Sequence, residues 1–137
     1  MKKEPILAAL AAMATIAVVG GLLYGVVFAG FIRSNLLDPG IMKSPPAFGW
    51  IALSHVPFGI LLTLVVHWRG ARSARGGATT GALLGFLMAT SFNLAQFGTM
   101  EHWSLRLTLL EPFITAAMVG AGGTVVGLIL ARVTPTA

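Results

Sequence analysis

The sequence predicts an all-α integral membrane protein, an antiparallel four-helix bundle built as a single transmembrane domain over residues 1–137. Hydrophobic residues make up 56% of the chain and charged residues 9%, against roughly a quarter charged in a typical soluble domain. Mean hydropathy is +0.88. The charged residues fall between four long uncharged segments. So few charges cannot cover the surface of a soluble domain, which favours burial in a lipid bilayer.

The four uncharged segments locate the spans. Residues 5–32, 44–68, 76–100 and 112–131 contain no Asp, Glu, Lys or Arg. A membrane-spanning helix needs about 20 mostly apolar residues. We place the spans at about 5–32, 47–68, 77–98 and 108–131. The connection between the second and third spans is short, so these two helices are expected to pack as adjacent antiparallel neighbours.

The distribution of Lys and Arg predicts the orientation. Six basic residues fall in the N-terminus, the second loop and the C-terminus: Lys2, Lys3, Arg69, Arg72, Arg75 and Arg132. The other two loops carry three: Arg33, Lys43 and Arg106. This bias favours both termini in the cytoplasm of a multi-pass protein of the bacterial inner membrane. The lipid bilayer is then its first partner.

The sequence lacks the residues that several functional classes require. The chain has no cysteine, no H-E-x-x-H motif and no His and carboxylate cluster with metal-site spacing. No block of like charges suggests a nucleic-acid partner. We therefore expect no catalytic residue, no metal, no cofactor and no enzymatic activity.

Small residues recur every fourth position in three spans. The rows are Gly21, Gly25 and Ala29 in the first span, Gly77, Gly81, Gly85 and Ala89 in the third, and Gly123, Gly127 and Ala131 in the fourth. Small residues let helix backbones approach closely in a membrane. The rows suit packing within the bundle and equally suit a homodimer interface.

Polar side chains from all four spans fall in the outer half of the predicted bundle. We predict a ligand-binding site there, formed by Tyr24, His55, Asn93, Gln96 and Glu111, with Thr115 following Glu111. Polar groups within a membrane are costly, so each is a candidate site. Asn93 continues the glycine row of the third span. If that row faces the second span, His55 meets Asn93, and Glu111 or Tyr24 lies nearby.

Each of these residues also has a structural interpretation. His55 suits a hydrogen-bonded core position, and Asn93 and Gln96 suit hydrogen bonds between helices. Glu111 suits a cap at the start of the fourth helix, with Pro112 as its first residue. Both interpretations stay open at the level of sequence.

The order of features resembles a group of small bacterial four-span membrane proteins classed as a domain of unknown function. The resembling stretches are Gly21 to Tyr24 with Phe28, Gly81 to Gly85 with Ser91 to Leu94, and Gly120 to Gly127. The resemblance implies a four-helix bundle and supplies no activity.

Three functions are compatible with these patterns. The first is a small binding or transport module that uses the outer polar layer. The alternative is an accessory or scaffold subunit of a larger membrane complex, which the small-residue rows and short loops favour. Binding of a lipid or quinone between the helices is a third.

Overall fold

The computed structural model describes residues 3–38, 40, 43–101 and 103–132. Over these ranges the chain is helical apart from its connections and one isolated bridge between Leu36 and Trp103. Four helical segments are long and apolar enough to cross a membrane. The predicted fold class is therefore confirmed. Lys2, one of the charges counted for the orientation, lies outside the described ranges.

The first span is interrupted. Helix α1 covers Lys3–Leu22, a π-helical turn covers Leu23–Val27, and a short helix α2 covers Ala29–Asn35. The Phe28 N–H donates to the carbonyl of Leu23 at 2.8 Å, the i to i−5 pattern of a π-helix. The prediction of one regular helix over residues 5–32 is wrong here, because uniform apolar composition does not reveal a change of helix type.

The other three spans are continuous helices: α3 (Phe48–Trp68), α4 (Ala74–Thr99) and α5 (Leu105–Ala131). Helices α4 and α5 each begin three residues before the predicted position because a serine caps them. The Ser73 side chain accepts from the Gly76 N–H at 3.0 Å, and the Ser104 side chain accepts from the Leu107 N–H at 3.2 Å.

The lateral order of the helices differs from their order in the chain. Helix α4 packs along α5, α5 also packs against α1, and α1 packs against α3. Helices α3 and α4 share little contact although a short turn joins them. The prediction that they are packing neighbours is wrong, because a short turn brings two helix ends together without fixing the faces that pack.

The contact between α4 and α5 runs backbone against backbone. A methyl group added at Gly77 would lie 2.0 Å from the carbonyl oxygen of Gly123, and one added at Gly81 would lie 2.4 Å from that of Val119. The same close approach is seen from α5, where a methyl group added at Gly127 would lie 2.2 Å from the carbonyl oxygen of Ser73. No side chain larger than hydrogen fits at these positions without separating the helices.

Contacts of α1 are made differently. Gly21 and Gly25 have no atom of the described chain within 4 Å of the position of an added methyl group, so these two glycines do not pack within the bundle, and the homodimer alternative for this row stays a prediction. The neighbouring Gly20 instead receives the Met118 side chain from α5. Gly59 of α3 receives the Met13 side chain from α1. At these two glycines, contacts between α1 and its neighbours involve flexible methionines. Elsewhere Ile16 of α1 packs against Gly122 of α5.

Many large apolar side chains point away from the bundle. Val18, Val26, Phe92 and Leu109 are each more than half exposed. Such exposure is unfavourable in water and favourable in hydrocarbon. The outward faces therefore fit contact with lipid.

We predict that Gly81→Ala destabilises the bundle and that Gly98→Ala does not. Both lie on α4, but a methyl group at Gly98 meets nothing within 4 Å, whereas one at Gly81 meets the α5 backbone. Overpacking costs about 1–3 kcal/mol, and Gly98→Ala gains up to about 1 kcal/mol of helix propensity. The measurement is the loss of monodisperse protein on heating in detergent. Equal stability of the two variants would contradict the assigned contact.

Candidate functional site

Glu111 lies inside α5 rather than at its start. The helix begins at Leu105, so Glu111 is about 9 Å along it at ~1.5 Å per residue. The helix is about 40 Å long, and centred on a hydrocarbon core of ~30 Å it would place Glu111 about 4 Å inside the core. Ser104 is the N-cap and Pro112 is buried within the helix. The interpretation of Glu111 as a cap, with Pro112 as first residue, is wrong.

Three neutral side chains hydrogen-bond the carboxyl group of Glu111. The Tyr24 hydroxyl donates to Oε1, and the Asn93 side-chain amide donates to Oε2. The Thr115 hydroxyl donates to Oε1 at 2.6 Å, and the Tyr24 and Thr115 hydroxyl oxygens lie 2.9 Å apart. We call Tyr24, Asn93, Glu111 and Thr115 the Glu111 network. It joins the first, third and fourth spans.

The helices position each member of the network by its register. On α1, a buried residue occurs at every fourth position, namely at Ala8, Ala12, Ile16 and Gly20. Tyr24 of the π-helical turn lies four residues after Gly20 and continues this row. Asn93 continues the row of small residues on α4 and is only 3% exposed. Thr115 lies one turn beyond Glu111 on the same face of α5.

No basic side chain pairs with Glu111 among the residues that the structure describes; its partners there are the three neutral donors. An ionised carboxylate in hydrocarbon is costly unless it is paired or strongly hydrogen-bonded. The network therefore satisfies the hydrogen bonds of the carboxyl group without cancelling a charge. This arrangement can hold a proton or receive a small positively charged or hydrogen-bonding ligand.

His55 lies apart from Asn93. Its Nδ1–H donates to the carbonyl of Ile51 in the preceding turn of α3, and Asn93 bonds Glu111 instead. Helix α3 packs on α1 and α5, whereas Asn93 is on α4. The expected meeting of His55 and Asn93 is wrong because the two helices are not neighbours.

His55 instead lines two cavities next to the network. The smaller, about 280 Å³, is bordered by Thr115 together with His55 and Phe58. The larger, about 710 Å³, is bordered by Tyr24, His55 and a mainly apolar wall between α1 and α3. Tyr24 and Thr115 thus each border one cavity, and His55 borders both.

Gln96 is not joined to the network. It is partly exposed on α4, and within the described part of the chain nothing hydrogen-bonds its side-chain amide. The structure thus brings together Tyr24, Asn93 and Glu111 of the five predicted residues and places His55 beside them. Thr115 completes the set, and its i+4 spacing from Glu111 is the sequence signal for it.

A family described as "Predicted membrane protein (DUF2177)" matches residues 5–128 of the chain. No curated protein and no solved structure matches the chain. The family match confirms the resemblance seen in the sequence, and it carries no defined activity.

We predict that Asn93→Leu destabilises the protein more than Gln96→Leu does. Loss of the Asn93 amide leaves Oε2 of Glu111 without its donor, at a cost of about 1–3 kcal/mol. Gln96→Leu removes no hydrogen bond within the described structure, so its effect should stay within about 0.5 kcal/mol. SDS titration of the detergent-solubilised variants, followed by circular dichroism, measures both. Similar losses for the two amides would count against the network.

Proposed function

We propose a binding or transport function for this chain, which belongs to the predicted membrane protein family DUF2177. The proposed site is the Glu111 network, and its ligand is a proton or another small, positively charged species. The proposal assigns these residues a binding role and no catalytic one.

One observation carries the proposal: a carboxyl group within a membrane span is held by neutral donors from three spans and has no described counter-charge. A carboxyl group placed there only for packing would be replaced at lower cost by an apolar side chain. A group that gains and loses a positive species needs both the acidic oxygen and the surrounding donors. The arrangement therefore fits reversible binding.

The cavities supply the approach to the site. Tyr24 borders the larger cavity and Thr115 the smaller one, while His55 lies on the wall of both. A ligand entering between α1 and α3 would meet His55 and then a hydroxyl bonded to Glu111. His55 is thus proposed as an access residue, and Asn93, 3% exposed on the opposite side, as a positioning residue.

An accessory or scaffold role is the second candidate. It is supported by Gly21 of α1 and Gly25 of the π-helical turn, which border the larger cavity and have no atom of the described chain within 4 Å of an added methyl group. Such an open position suits a helix from a second copy or from a larger complex. Native mass measurement after gentle detergent extraction tests this candidate, because finding only a monomer or a homodimer would count against an accessory subunit of a larger complex.

We also propose that the protein is a multi-pass protein of the inner membrane with both termini in the cytoplasm, as its basic residues favour. The chain has no cysteine, so a single introduced cysteine is the only site that a maleimide can label through a thiol. We predict that Arg72→Cys, in the turn between α3 and α4, reacts with an impermeant maleimide only after cells are opened. Asp38→Cys, in the connection at the other end, should react in intact cells. The reverse pattern would invert the orientation.

We predict that Glu111→Gln abolishes flux of the transported species in reconstituted vesicles, and that Thr115→Val lowers it at least about tenfold, since it removes a hydrogen bond to an acidic group. Proton uptake is followed with an entrapped pH-sensitive dye, and Na⁺ and K⁺ gradients are tested in parallel. Thr124→Val is the matched control on α5, because the Thr124 hydroxyl bonds only the carbonyl of Gly120. Unchanged flux in both network variants would overturn the transport proposal.

A further inference from the structure

Three oxygen atoms of the Glu111 network form a closed ring. Oε1 of Glu111 is hydrogen-bonded to the hydroxyl oxygens of Tyr24 and Thr115, and those two hydroxyl oxygens lie 2.9 Å apart. Each pair of oxygens in this ring is therefore at hydrogen-bonding distance. The other carboxyl oxygen, Oε2, is bonded separately by the amide of Asn93.

The ring has three hydrogen-bonded pairs of oxygens, but its two hydroxyl groups supply only two protons. Each hydroxyl has one proton, and each hydrogen bond uses one proton. With Glu111 ionised, two hydroxyl protons serve three oxygen pairs. If both hydroxyls donate to Oε1, the Tyr24 and Thr115 oxygens then face each other at 2.9 Å with no proton between them.

One further proton on the carboxyl group completes the ring. Tyr24 then donates to Thr115, Thr115 donates to Oε1 of Glu111, and the carboxylic acid O–H donates back to Tyr24. Asn93 donates to Oε2, which is the carbonyl oxygen of the neutral acid. We propose that Glu111 is held as a neutral carboxylic acid in this conformation and that the species bound at the site is a proton. This inference rests on the proposed function and names its ligand.

The charges around the site agree with a neutral acid. From α1 the network is faced by Tyr24, from α4 by the uncharged Asn93, and from the α3 side by the cavity wall that carries His55. His55 donates Nδ1–H to a backbone carbonyl, which orients the ring without requiring a charge on it. No described ion pair reaches Glu111.

The same geometry is poor for a metal cation. The hard cations bind six or more oxygens, usually from several carboxylates and carbonyls. The network offers one carboxyl group and two hydroxyls, and Asn93 presents its N–H rather than its oxygen to Glu111. Within the described chain, no group of three metal-ligating residues is present. A proton needs none of these ligands.

Infrared spectroscopy on the purified protein tests the proposal. Protein grown with isotope-labelled glutamate is compared with unlabelled protein at neutral pH, both in a Glu4→Gln background, since Glu4 is partly buried with an unpartnered oxygen in the described structure. We expect a carbonyl band of a neutral carboxylic acid that shifts with the label and disappears in Glu111→Gln. Carboxylate bands alone would overturn the proposal.

A second measurement needs no variant at the site. A hydrophobic carbodiimide adds the O–H of a protonated carboxyl group across its C=N bond, so the carboxyl oxygen bonds the central carbon and the proton moves to nitrogen. Peptide mass mapping of the native protein should find the adduct on Glu111 and not on Glu101, which is exposed in the loop after α4. Equal labelling of both, or labelling of Glu101 alone, would contradict a protonated Glu111.

These results separate the two proposals. A neutral-acid band without proton flux in vesicles supports the bound proton and rejects transport. Flux of Na⁺ or K⁺ that depends on Glu111, with no neutral-acid band, supports transport and rejects the bound proton.

Discussion

The arrangement of the helices depends on the need to satisfy one carboxyl group in hydrocarbon. Glu111 takes hydrogen bonds from the first and third spans as well as from its own helix. Those donors reach it only if α1 and α4 lie on either side of α5, which is the order the structure has. An unsatisfied carboxyl group at this depth would cost several kcal/mol, on the order of the stability of a whole domain. The network and the lateral order of the helices thus constrain each other.

The glycine contact makes one of these hydrogen bonds geometrically feasible. Asn93 has a short side chain, so its amide reaches α5 only where the two backbones are close. Gly77 and Gly81 provide that closeness further along the same face of α4, and Asn93 continues the row. On the other side, the π-helical turn places Tyr24 at the end of the buried face of α1. Irregular helical turns of this kind often occur at functional sites.

Much of the fold could be predicted from the sequence, because the absence of charge over twenty or more residues is a direct consequence of burial in hydrocarbon. The polar layer could be predicted for a related reason, since costly residues stand out against an apolar background. The uncharged segments also led to a wrong interpretation of Glu111. They placed Glu111 at the edge of a helix that in fact begins at Leu105, because a hydrogen-bonded acid within a span looks like a boundary.

The remaining features depend on three-dimensional contacts that periodicity does not encode. The separation of His55 from Asn93 follows from which helices are neighbours, and a row of small residues predicts close packing without naming its partner helix. The row in the first span illustrates this, since Gly21 and Gly25 have the same spacing as the glycines of α4 and yet pack against no helix of the described chain. The π-helical turn likewise has no distinct composition. Apolar residues fit either helix type equally well.

The two kinds of helix contact divide the bundle into a fixed part and an adaptable part. Between α4 and α5 backbone meets backbone, so that pair leaves no passage and cannot shift without losing contact. Helix α1 touches α3 and α5 partly through the side chains of Met13 and Met118, which can change rotamer within the same volume, and partly through Ile16, which packs against Gly122. Both cavities lie on this adaptable side. Under the proposed function, a proton would therefore reach Glu111 from between α1 and α3, where His55 borders both cavities, while the α4–α5 pair holds the site in place.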